Sequence, residues 1–490
     1  MNITFDTASI DDYRLFLKLK SCPAYRWDGR EAIIPDEYAE HFGERVEAAS
    51  ADYDPPSWLY DYQRDVAATA IRKRKYAVFA ECGLGKTLII TEFARHAASV
   101  EGGKILIVSP LMVCQQTSDE HERFYHEPLE IVPAAKLQSW LDDDSPGMGI
   151  TNYEAIREGL RRGNLRGLIL DESSMLKSHY GKWGERLIEI GRGLRWKLCC
   201  TGTPAPNDRI EYANHAVFLD HFRTVNEFLA TYFVNRGETQ NRWEIKPHAL
   251  GPFYRSMSHW CIFLSNPATY GWRDNCDNIP PIHVHIDSIP LTPEQRKAFR
   301  KETGDLFVRQ AGGITTRGKL AQIAKGKYNG KSIPTNKPTA IRRLVDEWPT
   351  ESTIIWCHYN HEQDSMEAVF PEAASIRGET PLDARQTAIN DFKSGRVRIL
   401  ISKPKVLGFG LNLQVATRQV FSGLQDSYEE YHQAVKRSNR IGSTLPLNVH
   451  IPVTELEEPM VANVIRKAHL VESDTRTQET LFKKWESTDG

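Results

Sequence analysis

Short unbroken apolar runs recur along the chain, each closing on a polar or glycine-containing turn and each followed by helical periodicity. They are Tyr76–Ala80, Ile105–Val108, Leu168–Leu170, Lys197–Cys200, Thr353–Cys357 and Val397–Ile401. Continuous hydrophobicity suits strands covered on both faces, and their alternation with helices predicts an α/β fold with parallel sheets. Four runs precede residue 205 and two follow residue 350, so the pattern divides the chain into two α/β domains. Between them lies an aromatic stretch, from Phe218 through Phe228, Tyr232, Trp243 and Phe253 to Phe263, that reads mostly as helix. It is expected to form a helical protrusion, about residues 210–275, on the first domain. Asn278-Ile-Pro-Pro281 then breaks helix, and His283–Ile289 alternates like a strand. At the front, Tyr13–Lys20 alternates and Tyr25–Arg30 turns, giving a small α+β module ahead of the proline-containing Asp52-Tyr-Asp-Pro-Pro56. The expected domains are therefore 1–50, 51–285, a basic linker over 286–335, and 336–490.

Composition adds one feature. The 490 residues carry a formal net charge of -2, which gives no bulk attraction to a polyanion, so contact with nucleic acid has to come from local patches. From Leu306 to Val345 there are nine Lys or Arg residues, Lys325 and Lys327 among them, and no Asp or Glu. Lys325 and Lys327 are candidate phosphate-backbone contacts. The eight cysteines include no CxxC pair and no spacing for a zinc site, so they read as reduced. No signal segment and no window of about 18 apolar residues is present, which predicts a cytoplasmic protein without a membrane partner.

The chemistry begins at Ala80-Glu-Cys-Gly83-Leu-Gly85-Lys86-Thr87, a phosphate-binding loop with alanine in place of the usual first glycine. It follows a strand and opens a helix, as such a loop requires. Gly83 and Gly85 let backbone amides approach phosphates, and the helix N-terminus adds partial positive charge. Lys86 is expected to neutralise the outer phosphates of ATP, and Thr87 to ligate Mg2+. Leu168-Ile-Leu-Asp171-Glu172 ends a strand in two acids, one to hold magnesium and one to activate water. Cys199-Cys-Thr201-Gly-Thr203-Pro204 is a strand-then-turn whose hydroxyls could relay the state of the phosphate. Far downstream, Gln433, Arg437 and Arg440 stand at i, i+4 and i+7, one face of an expected helix, and charged forks suit a γ-phosphate. The first domain offers no arginine in an obvious place, so the second is expected to complete the site.

In this order the motifs resemble the second helicase superfamily, and most of all its Swi/Snf-type translocases, from about residue 58 to 450. Tyr62-Gln63 resembles the adenine-reading glutamine motif, and Ser109-Pro110 and Thr151-Asn152-Tyr153 resemble the strand-tracking motifs. Ile289–Gln295 is similar to the junction opening the inter-domain segment. Gly408-Phe-Gly410-Leu-Asn412-Leu413 resembles the GxGLNL motif, and Gln433–Gly442 the final QxxxRxxRIG motif. The resemblance implies two tandem RecA-like domains with ATP hydrolysed between them. It further implies that Gln63 and Gly410 are cofactor-binding, that Ser109, Thr151, Asn152 and Asn412 contact nucleic acid, and that Thr201 and Thr203 couple the two activities. Ser173-Ser174 depart from the usual Ala-His or Gly-His, Ser443 stands in place of glutamine, and Asp426-Ser427 lack a Trp-Asn-Pro sequence. With no chromatin-reading appendage, this points to a minimal phage or bacterial DNA translocase or helicase in replication, recombination or repair. The front module is similar to the DNA-recognition module of annealing and fork-regressing helicases. An RNA helicase, a motor subunit of a nuclease or defence system, and a non-hydrolysing ATP switch are the alternatives.

Overall fold

The computed structural model describes residues 2–5, 9–21, 25–34, 53–176, 182–205, 208–237, 243–274, 279–303, 314–407, 411–424, 427–440 and 442–486. The chain forms two compact units, residues 1–275 with 473–490, and residues 276–472.

The first unit is built on a seven-stranded sheet. Its order is Cys261–Leu264, Lys75–Ala80, Trp196–Thr201, Leu165–Asp171, Lys104–Ser109, Gly147–Asn152 and Glu130–Ile131. All six pairings are parallel. Lys104–Ser109 and Trp196–Thr201 are buried at every position, as expected where helices cover both faces. The helix Lys86–Val100, which packs on this sheet, buries Leu88, Ile89, Ile90, Phe93 and Ala97.

The aromatic stretch does contain helices, Tyr212–Phe218, Val225–Tyr232 and Leu250–Ser258. It is nevertheless not a protrusion. Phe218, Phe228, Phe253 and Trp260 belong to the same hydrophobic core as Val108, Leu168 and Leu170. Cys261–Leu264 then enters the main sheet beside the strand that leads into the phosphate loop. Burying aromatic surface of this size against the sheet outweighs any gain from solvating a separate helical arm. Immediately beyond that strand, both the amide and the hydroxyl of Ser265 donate to Glu479 Oε1, at 2.7 and 2.6 Å.

Residues at the front form a three-stranded antiparallel sheet of Asn2–Thr4, Glu31–Ile33 and Arg26–Asp28, with the helix Ile10–Ser21. Tyr13–Lys20 is thus helical, although its sequence alternates. Leu15, Phe16 and Leu19 fall on one helical side and pack with Ile3, Phe5, Ala32 and Ile34. Asp11 and Asp12 in the first turn and Lys18 and Lys20 in the last complement the helix dipole, and the Ser9 hydroxyl accepts from the Asp12 amide at 3.2 Å.

The second unit has a six-stranded parallel sheet in the order Ile282–Ser288, Leu447–Val453, Arg418–Phe421, Thr353–Trp356, Ile399–Ser402 and Ala374–Ile376. The strand Ile282–Ser288 belongs to this sheet, so the expected boundary at 285 falls inside a strand and the units part at 275 instead. The basic stretch, expected as a linker, carries regular structure. Its described residues form the helices Ile314–Ala324 and Lys337–Asp346 and a two-stranded ribbon, Lys327–Tyr328 with Lys331–Ser332. Lys337 is buried in an ion pair with Glu457 at 2.7 Å and donates to the main-chain oxygens of Ser422 and Pro452.

Among the described residues no helix is long and apolar enough to cross a membrane.

Candidate active site

The strand Lys75–Ala80 ends at the phosphate loop, and the helix from Lys86 begins on it. Gly83 and Gly85 have φ of 93° and 65°, the left-handed region in which a side chain is strained. Gly85 has a second reason to lack a side chain, since a Cβ there would stand 2.3 Å from Gln63 Nε2. Gln63 comes from the helix Asp61–Lys73, and its amide faces the carbonyls of Leu84 and Gly85 at 3.4 and 3.5 Å, while Tyr62 Oη donates to Leu84 at 3.0 Å. The Lys86 ammonium lies across the loop and donates to Ala80 and Glu81 carbonyls at 3.0 and 3.3 Å. Burial alone would depress it, yet the negative charge of Cys82, Glu172, Asp171 and Glu81 holds it above the ordinary lysine range.

The strands ending in Ala80, Thr201 and Asp171 are consecutive neighbours in the sheet. At about 4.8 Å between neighbours, the loop and the acids open from the same sheet edge roughly 10 Å apart, with Thr201 between. Asp171 accepts a hydrogen bond from Ser109 Oγ at 2.8 Å on Oδ2, and its main-chain oxygen accepts from Tyr153 Oη at 2.7 Å. Burial raises the Asp171 carboxyl, against the Ser109 hydrogen bond and the Lys86 charge that lower it. The Asp171 carboxylate and the Thr87 hydroxyl, from the acidic strand end and the first turn of the helix on the phosphate loop, are oxygen donors of the kind that a divalent cation takes. Glu172 accepts from Thr201 Oγ1 at 3.2 Å, and Thr201 in turn accepts from the Thr203 amide at 3.2 Å. The two threonines therefore lie within one hydrogen-bonded run with the second acid.

Two residues of the first unit expected on nucleic acid lie elsewhere. Ser109 is fully buried and serves Asp171. Thr151 is also buried, and its hydroxyl donates to the Val132 carbonyl at 2.8 Å, tying adjacent strands together. Asn152 caps the short turn Tyr153–Ala155 through its side-chain oxygen. The sequence reading missed Tyr153 as a support for Asp171; its position next to Asn152 at a strand end was the available signal.

In the second unit the helix Tyr428–Val435 stops before the arginines. The amides of Arg437 and Ser438 bond three residues back, to Ala434 and Val435, which tightens the chain out of α-helix. Gln433, Arg437 and Arg440 therefore do not share a helical face. The turn instead directs both guanidinium groups at one loop, Arg437 to the Leu407 carbonyl at 3.4 Å and Arg440 to that of Leu411 at 3.5 Å. Gly410, within that loop, lies outside the described residues. Asn412 is exposed, with its amide bonded to Gln414 at 2.9 Å. Lys327 is half-buried in the two-stranded ribbon. Lys325 is 3% exposed, with its ammonium 5.1 Å from the Tyr359 ring, so it is a buried charge near Glu362 and not a surface contact for phosphates.

Comparison with known families gives two matches, the SNF2-related domain over residues 58–345 and the helicase conserved C-terminal domain over 336–442. The chain belongs to the SNF2 family. It is an ATP-dependent helicase or translocase built on two RecA-like units. Among relatives, the putative protein p41 of Acyrthosiphon pisum secondary endosymbiont phage 1 is 24% identical over 434 residues, 79% of this chain and 91% of that one. The DNA annealing helicase and endonuclease ZRANB3 of Mus musculus is 23% identical over 85% of this chain, which spans 40% of that SNF2 protein's length. The Sulfolobus solfataricus SWI2/SNF2 ATPase core in complex with dsDNA is 19% identical over 88% of this chain and 96% of the solved one, with a TM-score of 0.41.

Proposed function

We propose that this SNF2 protein is a DNA translocase that couples ATP hydrolysis to movement along duplex or branched DNA. The observation that carries the reading is the succession of phosphate loop, Thr201 and acids on adjacent strand ends of one sheet. In this reading Lys86 neutralises the outer phosphates and Gln63 stands by for the adenine. Thr87 and Asp171 hold Mg2+, which when bound supplies positive charge to the phosphates. Glu172 orients the attacking water and takes its proton, held meanwhile by Thr201. Arg437 and Arg440, with Gln433, are the residues of the second unit assigned to spreading charge at the γ-phosphate.

DNA is the favoured track because of the relatives' names, and Asn412, Asn152 and Lys327 are the remaining candidates for contact with it. The front module supports a preference for branched DNA. Tyr13 and Trp27 are 60% and 42% exposed, Phe16 lies between them at 6.5 and 6.1 Å, and Lys20 stands 5.3 Å over the Phe16 ring. Rings interleaved with cations suit unpaired bases at a junction.

The test is the ATPase rate of the full chain with duplex, forked and single-stranded DNA and with RNA, alongside Lys86→Ala. DNA stimulation greatest on the fork is expected, with a Trp27→Ala protein losing only the fork's advantage. Stimulation by RNA alone, or normal hydrolysis by Lys86→Ala, overturns the reading.

A further inference from the structure

The helix Tyr212–Phe218 contains none of the residues assigned so far, yet it brings His215 to the back of the acidic pair. His215 is fully buried, and its Nε2 lies 3.1 Å from Oγ of Ser173, the residue that follows Glu172. Ser173 is fully buried as well, and its hydroxyl also meets the Cys199 thiol on the strand that ends in Thr201. The imidazole packs near-perpendicular to the Phe79 ring, with centroids 5.2 Å apart, on the strand entering the phosphate loop. Directly or through Ser173, one side chain thus braces the strand ends that carry the threonine and the acids.

What the brace holds is a strained residue. Glu172 has φ of 52°, a left-handed conformation that costs a non-glycine residue about 1 kcal/mol. Such a backbone persists only where its surroundings over-determine it. The residue before it is fixed by Tyr153, its carboxylate by Thr201, and its carbonyl by the Met175 amide at 3.1 Å. On the side of the following residue, the fixing contacts are those of Ser173 with His215 and Cys199.

We propose that His215 is a positioning residue for Glu172, fixing through Ser173 the backbone turn that aims the carboxylate at the attacking water. The proposal rests on Glu172 being the base in the reaction described above. Burial pushes the imidazole down to about 4, so at neutral pH it is uncharged and places no competing cation beside the two acids. Its influence is on orientation alone. Lys86 and the loop glycines are untouched by it, so nucleotide binding should not depend on it.

The experiment measures kcat and KM for ATP with saturating duplex DNA, affinity for a fluorescent ATP analogue, and the thermal midpoint. The variants are Ser173→Ala, His215→Leu, the double variant, and Lys86→Ala. Each single variant is expected to lose about tenfold in kcat, an effect within reach of a small misplacement of a reacting group. KM and analogue affinity should stay within about twofold, and the double variant should be no slower than the slower single one, as for residues acting as a unit. Should His215→Leu fail to fold, His215→Asn with Ser173→Ala carries the same comparison. Wild-type kcat in the single variants, losses that multiply in the double variant, or losses that track analogue affinity overturn the proposal. Normal hydrolysis by Lys86→Ala would bring down the reaction assignment itself, and the proposal with it.

Discussion

Ser109 Oγ donates to Asp171 Oδ2 across 2.8 Å, both groups being buried. The bond lowers the acid's pKa against the effect of burial, which raises it. In a Ser109→Ala protein the carboxyl should therefore move further up, and the acid limb of the ATPase pH profile should shift to higher pH. A hydrogen bond to a charged group contributes about 1.5–3 kcal/mol, so a loss of roughly tenfold in kcat/KM at pH 7 is expected. Duplex affinity, measured without nucleotide, should be unchanged. A fall in that affinity with an unaltered pH profile would return Ser109 to the nucleic-acid contacts.

Gly85→Ala should impair nucleotide handling more than folding. The new Cβ would meet the Gln63 amide, the movable end of a side chain, while φ of 65° costs about 1 kcal/mol. Displacing Gln63 should lower kcat/KM for ATP by about tenfold, equal to ~1.4 kcal/mol. Steady-state kinetics beside thermal melting separates the two effects; a large drop in melting temperature with normal kinetics contradicts the expectation.

The Lys337–Glu457 pair sits beside a second buried lysine and glutamate, Lys325 and Glu362. Lys337→Met leaves Lys325 facing two carboxylates and should cost about 3–5 kcal/mol in urea denaturation. Adding Glu457→Leu restores balance and should recover most of the loss. A double variant no more stable than the single one would show that the loss does not come from an uncompensated Glu457 carboxylate.

Stability should fall on acidification, in part through His215. Its pKa drops from 6.5 to about 4 on folding, so between these values the unfolded chain binds more protons than the native one. Stability therefore rises with pH across that window and is lost as pH falls from 6.5 towards 4, by up to about 3 kcal/mol. His215→Asn should show a shallower slope than the wild type over that range, and an equal slope would assign the effect to other groups.

The fold was legible where burial makes a run uniformly apolar. Ile105–Val108 and Lys197–Cys200 proved to be central strands, and the glycines and acids at strand ends marked the sheet edge of the site. Other features were hidden because their signals are not local. Cys261–Leu264 is four residues long, and only its pairing with Lys75–Ala80 makes it a strand. Arg437 and Arg440 matched a helical spacing, but the chain leaves the helix at Val435 and aims both by a turn. Lys325 looked like part of a basic surface because charge alone does not reveal that the other buried charges of the second unit await it. Ser109 gave no sign of serving Asp171, since the two meet only across neighbouring strands.

The ties from Ala77 to Cys261 and from Ser265 to Glu479 set an order of events during synthesis. The strand feeding the phosphate loop gains its outer neighbour only after most of residues 1–275 have emerged, and Ser265 meets its acceptor only once residue 479 has been made. Because residues 276–472 are spliced into the first unit's chain, that unit begins first and is finished last. Contacts so distant in sequence make folding slow and leave an unpaired strand edge exposed on the nascent chain. A ribosome stalled before codon 479 would therefore carry both RecA-like sheets with the Ser265 tie to Glu479 still unmade, a species expected to depend more on chaperones than one in which that tie has formed.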